Sequence, residues 1–173
     1  MGRVEPMGAI DYLQQRGIAE VGVLGFSMGG AVGIITAPQS AAIRAVISDG
    51  GFARLESAML GWARERMGLP RWLALPLTRP IITVAGWRLS VRLPEADPIR
   101  WVGHIAPRPV FFIHGDRDPY ATVADVEALH AAAGEPKVLW RVPEAGHRQV
   151  DQHRPAECRE RVIGFFERYL VAV

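Results

Sequence analysis

Cysteine is nearly missing from this chain. Cys158 is the only one in 173 residues, so no disulfide can form within it and the redox compartment is left unmarked. Lysine is as scarce, with Lys137 standing alone among the arginines. The formal charge of +2 leaves no basic excess that would draw the chain to nucleic acid. No run of about 18 apolar residues occurs, so no membrane span is expected. The stretch Met1-Gly2-Arg3-Val4-Glu5-Pro6 holds no apolar segment of signal-peptide length, and a cytoplasmic location is the expectation. Neither an internal repeat nor a low-complexity segment is present. The histidines and acids show no His-Glu-x-x-His or similar spacing, so no metal and no cofactor are expected.

What is present is apolar and glycine-punctuated. With 49% hydrophobic residues over one domain length, residues 1–173 can bury a real core. The organising stretch is Gly25-Phe26-Ser27-Met28-Gly29-Gly30. Before it, Val21-Gly22-Val23-Leu24 is short and apolar enough for one buried strand. After it, Ala31 to Ala37 reads as a helix packed on a sheet. Glycine-x-serine-x-glycine between strand and helix is the pattern of a sharp turn that projects its serine. Small residues on either side, Gly25 and Gly29, are expected to let strand and helix approach closely. The helix N-terminus behind Ser27 offers free N–H groups, and that of Met28 points where an oxyanion would form.

The remaining chain alternates strands with helices, which argues for a parallel sheet covered on both faces. Helical spacing over Val4 to Arg16 ends at Gly17. Strands are expected at Ile18–Leu24, Ile43–Ser48, Pro109–His114 and Lys137–Val142. Helices are expected at Thr122–Ala133 and Pro155–Leu170, the latter burying Cys158, Val162, Phe165 and Tyr169. The rhythm breaks at residues 52–100. That segment carries Trp62, Trp72, Trp87 and eight arginines, against Glu56, Glu65, Glu95 and Asp97. It reads as two or three short helices punctuated by Pro70, Pro76, Pro80 and Pro94. Inserted between strands, it is expected to act as a helical lid over a pocket.

A serine hydroxyl needs a base to take its proton, and the base needs an orienting carboxylate. In a parallel sheet, the loops at the strands' C-terminal ends share one edge. Ser27, Asp118 and His147 each lie in such a loop, in the chain order expected of this architecture. Asp116 competes with Asp118, but is expected to cap the loop by accepting local backbone N–H groups. His153 sits in a solvated helix approach, His114 at a strand end, and His104 and His130 on the surface. Asp49 is expected to serve a turn.

Three stretches carry a resemblance to the α/β-hydrolase family: the elbow at residues 25–30, Pro107-Arg108-Pro109-Val110-Phe111-Phe112-Ile113-His114-Gly115-Asp116-Arg117-Asp118, and Pro143-Glu144-Ala145-Gly146-His147. The branch resembled contains esterases and lipases related to dienelactone hydrolases, and the catalytic domain of prolyl oligopeptidases. The resemblance implies Ser27 as nucleophile, His147 as base and Asp118 as acid, with a small-molecule ester or acyl compound as substrate. A prolyl-oligopeptidase-like peptidase would show the same triad. The family's sheet has further strands before the elbow, and the loop after its third strand gives a second oxyanion N–H. Nothing ahead of Ser27 resembles these. The expectation is therefore an N-terminally truncated domain, a weakened catalyst or a half-domain with a binding role. Ile18–Leu24 would then be an exposed edge open to self-association.

Overall fold

The computed structural model describes residues 5–90 and 92–170. In chain order the elements are α1 (Glu5–Gln15), β1 (Val21–Phe26), α2 (Met28–Thr36), β2 (Ile43–Asp49), α3 (Leu55–Met67) and α4 (Arg71–Arg88). There follow β3 (Val110–Gly115), α5 (Val123–Ala132), β4 (Lys137–Val142), α6 (Val150–His153) and α7 (Pro155–Leu170). The four strands form one parallel sheet in the order β1-β2-β3-β4. Strands in such a sheet are covered on both faces and so read as continuous apolar runs. β3 is the clearest case, buried at every position.

Each face has its own core. On one side Ile10 of α1, Ile34 of α2, and Val126 and Leu129 of α5 close over Ile43, Val46, Val110 and Phe112. On the other, Phe165 of α7 packs over Ile47, Phe111, Ile113 and Trp140, with Val162 and Tyr169 beside it. Fully burying each such side chain stabilises the fold by roughly 1.5–3 kcal/mol.

Three features differ from the sequence expectation. The first strand starts at Val21 rather than Ile18 and runs on to Phe26. Ile18 is taken up in ending α1: its N–H donates to the Leu13 carbonyl, while that of Gly17 donates to Gln14 with a φ of 82°. This is a Schellman stop, and it uses the residue that periodicity assigned to the strand. Val4, expected to begin α1, lies outside the described residues. The second difference is in the inserted segment, where Pro76 and Pro80 do not interrupt α4. Both prolines, and Trp72 four residues before Pro76, face solvent. The carbonyls of Trp72 and Pro76, deprived of helical donors, therefore lie on the hydrated side of the helix. Third, α4 buries only the stripe Ala74, Thr78, Ile82 and Gly86. Trp72 and Trp87 are 76% and 82% exposed, not packed.

α3 has no side-chain N-cap of its own. Distant carboxylates supply it instead. Asp97 Oδ1 accepts from the Leu55 N–H at 2.8 Å, and Asp125 Oδ1 accepts from the Ala53 N–H and the Ser57 hydroxyl. The inserted segment is thus fastened at its base to the N-terminus of α5, where Asp125 also completes a capping box with Thr122.

Candidate active site

The elbow is built as a strained turn. Ser27 joins β1 to α2 with φ 53° and ψ −119°, a region that non-glycine residues rarely enter. Its N–H is held by the Asp49 carbonyl at 2.8 Å, which fastens the turn to the end of β2. A side chain at Gly25 would strike the backbone of Gly29 and Gly30. The partner of Gly25 in this close approach is Gly30, where a Cβ would come within 3.0 Å of the Gly25 carbonyl oxygen. Gly29 stands in open space, so the expectation that it permits the approach is corrected. The Met28 N–H, first in α2, has no acceptor among the described residues, and its side chain is 70% exposed.

The loops after β3 and β4 meet the elbow. His147 Nε2 lies 3.0 Å from Ser27 Oγ, and His147 Nδ1 lies 2.6 Å from Asp118 Oδ2. A carboxylate can only accept, so Nδ1–H donates to Asp118 and Nε2 is left to accept from the serine hydroxyl. The Asp118 side chain is wholly shielded from solvent. Its other oxygen accepts from the N–H groups of Tyr120 and Ala121, which fixes the carboxylate plane. The Tyr120 ring stands edge-on to His147 with centroids 5.0 Å apart.

Asp116 does not cap its loop. It faces away from His147 and takes Arg141 in a fork, at 2.8 and 2.9 Å. That bond holds its carboxyl below the usual carboxylate range. Asp49 ends β2 as a buried residue that serves the turn through its carbonyl, while its side-chain Oδ1 has no hydrogen-bond partner among the described residues. Burial pushes its carboxyl up to about 6, with Asp151 adding to the rise and Arg148 and His147 opposing it. His114 is buried with both ring nitrogens unpartnered among the described residues, and burial lowers its pKa. His130 is half-buried rather than on the surface, its ring edge-on to Phe112. His104 is exposed, and His153 lies in the short helix α6. Cys158 packs against the α7 core, and burial raises its thiol pKa. Among the described residues no His, Cys, Asp and Glu cluster could hold a metal, and no helix is long and apolar enough to cross a membrane.

Ser27 and His147 open into a cavity of about 360 Å³. Phe52, Ala58 and Trp62 of the inserted segment form part of its wall, with Tyr120 opposite. Of the three tryptophans that the inserted segment carries, Trp62 lines this cavity and Trp72 and Trp87 do not. Trp87 lines a larger cavity of about 650 Å³ along α4 that touches none of the three site residues. Sequence reading missed Tyr120 and Phe52. The one signal available was position: Tyr120 lies two residues beyond Asp118 on a loop already assigned to the site, and Phe52 opens the segment expected to act as a lid.

No protein-family model matches the chain. An uncharacterised protein of Pseudomonas aeruginosa is 35% identical over 72 residues, which is 42% of this chain and 19% of that protein. Among solved structures, an esterase of Pyrococcus furiosus superposes with a TM-score of 0.67 at 23% identity, covering 88% of this chain and 54% of its own. An acylaminoacyl peptidase of Pyrococcus horikoshii superposes with a TM-score of 0.68 at 17% identity, covering 96% and 27%. The chain has the α/β-hydrolase fold, and it spans about half the length of the esterase it resembles.

Proposed function

We propose that this chain is a serine hydrolase acting on a carboxylic ester or a related acyl bond. The observation that carries the reading is the hydrogen-bonded series Ser27–His147–Asp118, assembled from the ends of three parallel strands with the serine on a strained elbow. In this reading Ser27 Oγ attacks the acyl carbon while His147 Nε2 takes its proton. Asp118 keeps the imidazole in the required tautomer and stabilises it once charged. The Met28 N–H donates to the oxyanion. His147 then returns the proton to the leaving oxygen. Water, activated by the same base, releases the acyl group and restores Ser27. The inserted segment acts as a cap, since α3 walls the cavity into which Ser27 opens.

A fluorophosphonate probe tests the reading directly. Ser27 labels and Ser27→Ala does not; an unlabelled wild-type chain overturns it. Short 4-nitrophenyl esters run beside prolyl and acylaminoacyl amides then tell an esterase from a peptidase. Turnover of the amides alone would place the chain with the peptidases.

A further inference from the structure

Two cavities meet at His147, and they differ in character. One, of about 360 Å³, contains both Ser27 and His147 and is otherwise walled largely by apolar and aromatic groups. The other, of about 540 Å³, shares His147 and Tyr120 but not Ser27, and carries Glu65, Arg117, Glu144 and His153. On the hydrolase reading above, the acyl carbon becomes bonded to Ser27 Oγ as its bond to the leaving oxygen breaks. That oxygen departs with the proton delivered by His147. On that reading the acyl group is assigned to the cavity that Ser27 lines, and the leaving group to the polar one, which His147 lines without Ser27.

Within the acyl cavity the structure places one permanent charge. Arg66 lines it from α3, on the helix face it shares with Ala58 and Trp62 at four-residue spacing. No carboxylate pairs with Arg66 among the described residues: Glu56 is bound to Arg79, and Glu65 faces the other cavity. The helix that carries it is held in place. Gly61 lies so close to the Tyr120 backbone that a Cβ there would collide with it, and Asp97 and Asp125 fasten the first turn. The guanidinium is therefore presented by a fixed element, with its donors free, at the wall of an otherwise apolar chamber.

We propose that Arg66 is a specificity-determining residue, and that the preferred acyl group is an apolar chain ending in a carboxylate. The chain would lie along Phe52 and Trp62 and its terminal carboxylate would take the guanidinium fork. The cavity volume falls within the range of small-molecule sites, about 300–1,000 Å³.

The test uses 4-nitrophenyl esters of ω-carboxy acyl chains of increasing length, each paired with the neutral acyl ester of the same length. The readout is the ratio of kcat/KM within each pair. In the wild-type chain the ratio exceeds one at one or more lengths. Arg66→Gln lowers it by up to about fivefold, as expected for an ion pair on an exposed arginine. Arg66→Lys restores part of it, and added salt reduces it. Arg64→Gln, on the same helix but outside the cavity, leaves it unchanged. Arg66 is exposed, so its variants are expected to melt as the wild type does. A ratio near one at every length, or one that Arg66→Gln does not move, overturns the inference while leaving the hydrolase reading intact. If no ester is cleaved and the fluorophosphonate leaves Ser27 unlabelled, both fall together.

Discussion

The Ser27 N–H donates to the Asp49 carbonyl at 2.8 Å, so the residue that ends β2 also pins the elbow. The Asp49 side chain meanwhile is buried, with one oxygen unpartnered among the described residues. The same residue serves the turn through its backbone and burdens the fold through its carboxyl.

That burden is pH-dependent. Burial raises the Asp49 pKa from 3.8 to about 6. An acid whose pKa rises on folding opposes the native state once it must ionise. Between the two values the native state holds more protons than the unfolded chain, so stability falls as pH rises. Below 3.8 there is no penalty, and above about 6 it is constant. The full difference corresponds to about 3 kcal/mol at most. Asp49→Asn cannot ionise, so it should be the more stable protein at pH 7–8 and equal to wild type near pH 4. Denaturant midpoints across that range check this. A variant less stable at neutral pH would mean that the ionised carboxylate is held by partners.

Asp116 and Asp118 are two residues apart and face different partners, Arg141 and His147. Asp118→Asn leaves an amide that cannot orient the His147 tautomer, and kcat on a 4-nitrophenyl ester should fall about 10³–10⁴-fold. Asp116→Asn removes half of an ion pair with Arg141 on a partly exposed surface. It should cost no more than about 1 kcal/mol of stability and leave kcat within a few-fold of wild type. Equal losses of kcat from the two substitutions would overturn the assignment of Asp118 as the acid.

The elbow glycines divide in the same way. Gly25→Ala drives a methyl group into the backbone of Gly29 and Gly30 and should cost several kcal/mol, or prevent folding. Gly29→Ala meets nothing and lies within α2, where it should be neutral or gain about 0.5–1 kcal/mol through helix propensity. Thermal melts of the two variants separate the cases. A Gly29→Ala protein as damaged as Gly25→Ala would show that the turn tolerates no Cβ on either side.

Motif spacing could not divide these glycines, because Gly29 and Gly30 are adjacent and only the helix phase decides which one faces β1. The alternation of strands and helices was legible, because apolar runs such as Val110–Ile113 are buried on both faces. The choice of Asp118 over Asp116 to face His147 was legible only through the family resemblance, whose spacing of glycine, two residues and aspartate is matched by Gly115 and Asp118. Its physical complement was not. Arg141 lies in β4, 25 residues away, and nothing local marks it as the Asp116 partner. The path of α4 was misread for a related reason. Pro76 and Pro80 remove donors and crowd the carbonyls four residues before them, but those carbonyls lie on the exposed side of α4 where water can take them up, and which side is exposed is a tertiary fact. The caps of α3 come from Asp97 and Asp125, which no reading of its own sequence could find.

The last prediction concerns β1. Within the described sheet it pairs with β2 alone, so its other edge presents backbone N–H and C=O groups without strand partners. Leu24 and Phe26, on the α7 side, are 38% and 40% exposed. An apolar strand with one open edge is a template for a second strand, and nothing along Val21–Phe26 carries the charge or proline that would discourage pairing. The chain should therefore associate as its concentration rises, with sedimentation velocity showing a shift toward dimer or larger species. Leu24→Lys places a charge at that edge and should reduce the shift, because pairing two such strands would crowd or desolvate like charges. A chain that stays monomeric across the same concentrations would show that the edge is protected as it stands. Association unchanged by Leu24→Lys would move the contact elsewhere, with the exposed side of α4 at Trp72 and Trp87 the next surface to substitute.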